Sequence, residues 1–180
     1  MRGALAYAKL AAMKPFIRYA GGDLDRAGLF RKDEDWILQK LAHPNSQIVP
    51  VWRSRNLVTG LGTAPRTHLV GRGEAAEILE MSSEITLLGI SGDTAYFAAD
   101  ISSLEEDKAH ALISHGEFVD LRLVGPLLGV QESALMAYAR GMLHWHQKHQ
   151  HCGLCGVSGG DRVIERLHTG LHTMQHRGQE

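Results

Sequence analysis

From residue 33 to residue 42 the apolar positions recur with a helical period. Asp33, Glu34 and Asp35 lead the segment, and Trp36, Ile37 and Leu41 share one face. Acids at the positive end and an apolar stripe predict an amphipathic helix, which Pro44-Asn45-Ser46 stops. Gln47 to Arg53 is β-branched and predicts a strand, with Pro50 pointing to an edge or a bulge. Ser54-Arg55-Asn56 reads as a turn into a short strand at Leu57-Val58, and Thr59 to Pro65 as a flexible loop. Glu84 to Ile90 and Thr94 to Asp100 flank Ser91-Gly92-Asp93, the strongest hairpin signal in the chain, because glycine supplies the positive φ of a tight turn. Ser103 is expected to cap a helix running to about His115, with Leu104, Ala109, Ala111 and Leu112 toward the sheet. A long helix is expected over about Gln131 to Gln150. Its stripe of Leu135, Tyr138, Met142, Trp145 and His149 reads as core, with a dimer seam as the alternative.

These elements predict an α+β fold. A small, mostly antiparallel sheet with helices occupies residues 14–125, and a connecting helix occupies 126–151. An incomplete zinc-ribbon-like segment with a His-rich tail occupies 152–180. A 44% hydrophobic, 22% charged composition suits an ordinary core and excludes a disordered chain. The formal net charge of -1 gives no general electrostatic case for nucleic acid or an anionic membrane. No apolar run reaches the roughly 18 to 20 residues of a membrane helix. In Met1 to Ala12 the apolar run is cut by Lys9, too short for a signal peptide. The segment reads instead as a helical arm, or as an extension ahead of a start at Met13, and the expected location is the cytoplasm.

The chain has two cysteines, Cys152 and Cys155, in one C-x-x-C followed by Gly156. Two thiolates at that spacing grip one tetrahedral ion, and the glycine lets backbone N–H groups turn toward the sulfurs. The redox alternative needs the motif at a helix N-terminus after a strand, whereas here it follows a long helix. Cys152-x2-Cys155-x12-His168-x3-His172 also has the spacing of a Cys2His2 site. Gly159 and Glu165 stand where the aromatic and leucine of a finger's miniature core would be, so a DNA-reading finger is not expected. His144 and His146 lie two apart on the long helix, point to different sides, and read as solvated histidines beside a core Trp145.

Several motifs in order resemble one family. They are Tyr19-Ala20-Gly21-Gly22-Asp23-Leu24-Asp25-Arg26, Leu29-Phe30-Arg31-Lys32-Asp33, Val51-Trp52-Arg53, and Tyr96-Phe97-Ala98-Ala99-Asp100. Asp120-Leu121-Arg122 with Gly125-Pro126-Leu127-Leu128, Ala137-Tyr138-Ala139-Arg140 running into His144-Trp145-His146, and Cys152-Gly153-Leu154-Cys155-Gly156 complete the series. Over about residues 14 to 157 the chain resembles the N-terminal half of bacterial NADH pyrophosphatases of the Nudix superfamily. The resemblance implies a Nudix-like domain, then a four-cysteine zinc ribbon and a catalytic Nudix domain. The enzymes cleave the pyrophosphate of NADH, and of NAD-capped RNA, usually as homodimers. Cys152 and Cys155 match the first pair of ribbon ligands, which implies structural zinc.

After Val157 the chain departs from that pattern. It has no second cysteine pair, and the Nudix signature of glycine, spaced glutamate and an Arg-Glu-x-x-Glu-Glu run occurs nowhere in it. Those carboxylates hold Mg²⁺ or Mn²⁺ in the family, so the ion is expected only with the missing catalytic domain. The leading expectation is a truncated member, or the N-terminal portion, of an NADH pyrophosphatase. It would be inactive alone and pair with itself or with a full-length subunit. The alternative is a zinc-binding protein-interaction module with a Cys2His2 site, and a redox protein using the two thiols is a third reading.

Overall fold

A computed structural model describes residues 18–148. After a 3₁₀ turn at Arg18–Ala20 come helix α1 (Glu34–Ala42) and strands β1 (Gln47–Trp52), β2 (Arg55–Thr59), β3 (Arg66–Thr67) and β4 (Val70–Gly71). Helix α2 (Ala76–Glu80), strands β5 (Glu84–Ser91) and β6 (Thr94–Asp100), and helix α3 (Glu106–Ala111) follow. Strand β7 (Glu117–Val119) and helices α4 (Leu121–Val124) and α5 (Val130–Lys148) end the described chain. The seven strands form one mixed sheet, antiparallel except where β1 lies parallel to β6. The expected α+β class and long helix are present, whereas the zinc-ribbon segment lies outside the described residues.

The sheet is covered on both faces. Along β1, Ile48 and Trp52 face the α1, α2 and α3 side with Phe97, Ile78 and Leu41, whereas Val49 and Val51 face α5 with Ala139 and Leu143. A strand buried on both sides reads as an unbroken apolar run, which is why Ile48 to Trp52 lacks alternation. Beyond β2, Met136 of α5 packs with Val58, Leu121, Val124 and Leu128.

Pro50 sits in a central strand rather than at an edge. Val51 accepts from the Ile101 N–H on the β6 side, so the alternation of a strand turns Pro50 to the opposite edge. There the β1–β2 hairpin forks. Val51 and Trp52 pair with β2, Gln47 and Ile48 pair with β4, and Pro50 falls between them, where no ladder bond is asked of it. The turn at the fork's closed end carries Arg53 and Ser54 at φ 45° and 61°, left-handed conformations that cost a non-glycine residue about 1 kcal/mol each.

The β5–β6 hairpin forms where the sequence places it, with Gly92 at φ 57°. The ladder is irregular between Leu87 and Gly89, which leaves Leu88 unmatched. On the outer edge of β5, Asp25 and Ile90 exchange two backbone hydrogen bonds of 2.9 and 2.8 Å. Arg31 clamps the same edge, donating from Nη1 to the Leu87 carbonyl at 2.9 Å and from Nη2 to that of Leu88 at 3.0 Å. Its Nε donates to the Arg26 carbonyl at 2.7 Å.

Five elements depart from expectation or carry no local signal. Helix α3 spans six residues and starts after Glu105, not at Ser103. The Leu104 N–H is turned back to Ile101, and the Leu104 carbonyl is taken by Trp52 Nε1 at 2.9 Å, so neither is free to open a helix earlier. In α5 the buried line is Ser133, Met136, Ala139 and Leu143, one residue on from the expected stripe. Small residues let the helix approach the sheet. Leu135, Tyr138 and Met142 flank the contact, and Trp145 is half exposed rather than core. Strands β3, β4 and β7 carry no signal of their own, being two or three residues long.

Candidate functional site

A concavity on the α5 side of the sheet, between the Tyr19–Arg26 segment and α5, holds about 460 Å³. Leu24, Leu69, Tyr96, Leu135 and Tyr138 supply an apolar lining, and Asp23, Arg26 and Glu132 the charged groups. The Arg26 guanidinium carbon stands 3.4 Å from the centre of the Tyr138 ring, a close cation–π stack. Its backbone is fixed by Arg31, which takes the Arg26 carbonyl. Glu132 has both oxygens engaged, accepting from Thr67 N–H at 3.1 Å and Gly129 N–H at 3.0 Å. The second bond is the return arm of a capping box at the start of α5, and the first ties that helix to β3.

A second cavity, of about 150 Å³, opens at the C-terminal ends of the parallel pair β1 and β6. Asp100 is 3% exposed there and is satisfied by neutral donors, namely Ser102 N–H at 3.0 Å, the Ser102 hydroxyl, and Gln147 Nε2 at 2.6 Å. Nearby, Asp120 caps α4 and accepts from the Arg122 side chain at 2.7 Å, with Arg140 at 3.5 Å. The Arg122 hydrogen bonds, chiefly from its side chain, hold the Asp120 carboxyl far below the usual carboxylate range. His144 is exposed. His146 instead meets Glu84 at 3.1 Å and stands edge-on to Trp145, so the two histidines diverge as their spacing requires.

The His68 imidazole is pushed below its ordinary value, mainly by burial and then by the charge of His115, with Glu74 partly opposing. The folded state therefore resists a proton that the unfolded chain accepts near pH 6.5. Stability from this group is intact above that pH and is lost as pH falls toward the lowered folded value. Urea midpoints at pH 7.5 and 5.5 are expected to separate more for the native chain than for His68→Gln.

Cys152, Cys155, His168 and His172, the sequence-derived metal ligands, lie outside the described residues. Among the described residues no three His, Cys, Asp or Glu side chains group so as to hold a metal ion. No described helix is long and apolar enough to cross a membrane. Arg26 and Tyr138 stand in two separate family-like motifs of the sequence. They are 112 positions apart, and no local pattern signals their contact.

A mixed sheet covered on both faces and closed by one long helix is the architecture on which the family match falls. Residues 45–145 match the model of the NADH pyrophosphatase-like rudimentary NUDIX domain, more than half of the 180 residues, and the chain belongs to that family. Comparison with curated proteins returned no match.

Proposed function

We propose that these 180 residues act as the non-catalytic N-terminal portion of an NADH pyrophosphatase, in a structural and subunit-pairing role, with a second copy or a full-length subunit as partner. The observation that carries this reading is the missing carboxylate set. The family match supplies the Nudix-like domain, while neither the sequence nor the described residues supply the glutamates that would cage a divalent ion. The purified chain, incubated with NADH and Mg²⁺ or Mn²⁺, is expected to release no AMP above the protein-free blank. Turnover of about 1 to 10³ s⁻¹, the range of ordinary enzymes, would overturn the proposal.

In the same reading Cys152 and Cys155 supply two thiolates to a structural zinc, with His168 and His172 as the alternative second pair. Zinc content measured on the full chain is expected to fall for Cys152→Ser. An unchanged zinc content in His172→Ala would remove the Cys2His2 alternative, and a fall would favour it.

A further inference from the structure

The structural role proposed above assigns nothing to the groove between the Tyr19–Arg26 segment and α5. Its volume of about 460 Å³ lies in the range of small-molecule sites, about 300 to 1,000 Å³. Its floor and walls are apolar, with Leu24, Leu69, Tyr96 and Leu135 among them. The groups that could answer a ligand's charge are few, and they are unequal. Glu132 is spent on two backbone N–H groups. Asp23 is exposed to water. Arg26 is exposed as well, but its guanidinium is laid flat on Tyr138. Among the described residues it has no carboxylate in ion-pair range. Stacking uses the face of a guanidinium and leaves its in-plane N–H donors available, and a planar fork of such donors fits an oxyanion.

We propose that this groove binds a small organic acid with a flat apolar body, its ring system packed between Tyr96, Leu135 and Leu69 and its oxyanion on Arg26. Carboxylate and phosphoryl heads share the chemistry that Arg26 recognises. The stack on Tyr138 holds the guanidinium, and the Arg31 bond to the Arg26 carbonyl fixes the backbone beneath it, which lowers the ordering cost of binding.

Three probes with one body test this on the full 180-residue chain by calorimetric titration: naphthoate, naphthyl phosphate and the neutral naphthalenemethanol. At least one acid is expected to bind one-to-one and about tenfold or more tighter than the alcohol, the increment of a charge-assisted hydrogen bond. The tighter of the two acids identifies the head group. Arg26→Gln is expected to erase the preference for acids. Gly141 lines the groove, and a Cβ built there meets nothing within 4 Å. Gly141→Leu therefore fills the site while improving helix propensity, and is expected to weaken all three probes about tenfold or more. Failure of both acids to bind, an alcohol as tight as the acids, or affinities indifferent to both substitutions would each overturn the proposal. None of these outcomes bears on NADH hydrolysis, so the two readings fail separately.

Discussion

Replacing Gly89 by alanine is expected to destabilise the chain by about 3 kcal/mol, combining overpacking with two lost backbone hydrogen bonds. Gly89 is buried in β5, and a Cβ built there falls on the Asp25 carbonyl oxygen, with the Leu24 Cβ at 3.1 Å. The obstacle is backbone, so a flexible side chain cannot swing aside. Relief comes when the Tyr19–Arg26 segment lifts from β5 and the Asp25–Ile90 bridge breaks. Gly73→Ala is the control, because its new methyl group meets nothing within 4 Å. Urea midpoints should separate the two variants widely, and amide exchange at Ile90 should quicken in the first only. Equal midpoints would remove the argument that β5 and this segment fit by the absence of a side chain.

Arg31→Met is expected to cost about 2 kcal/mol, the net worth of hydrogen bonds from a charged donor discounted for partial exposure. The guanidinium joins three carbonyls on two segments, Arg26 on one side and Leu87 and Leu88 on the other. Leu88 is the residue that the β5 irregularity leaves unmatched, so Arg31 supplies the donor the ladder omits. Lysine presents no planar fork, and Arg31→Lys should recover only part of the loss. Both substitutions loosen the same contact. Gly89→Ala with Arg31→Met should therefore cost less than the sum of the single changes, a coupling that a double-mutant cycle of unfolding free energies reads directly.

Elements with their own local chemistry were legible in the sequence. Helix α1 opens on Asp33, whose side chain accepts from Trp36 N–H at 3.0 Å, and it ends before Pro44 as the prolyl turn requires. The Gly92 hairpin needed only its glycine and two flanking apolar runs. Elements made by the rest of the molecule were not legible. Arg66–Thr67 and Val70–Gly71 are strands because the β1–β2 fork offers them edges, and nothing in four such residues says so. The three- and four-residue spacing fits both Leu135, Tyr138 and Met142, which pack partly against the core, and the fully buried line one position on, where close packing on the sheet favours Ala139. The groove was illegible for the same reason as the Arg31 clamp. Arg26 meets Tyr138, and Arg31 meets Leu87, across more than fifty residues of chain.

The parallel alignment of β1 with β6 sets the order in which this chain can assemble. The β5–β6 hairpin closes on two residues, a microsecond event, whereas Gln47 meets Tyr96 only by drawing together ends about fifty residues apart. Joining β1 to the finished hairpin is thus expected to be the slow search, the step that brings Ile48 and Val49 beside Phe97 and Ala98. Truncating Val49 should slow refolding, while a change in the Gly92 turn that spares the final stability should leave that rate largely as it was.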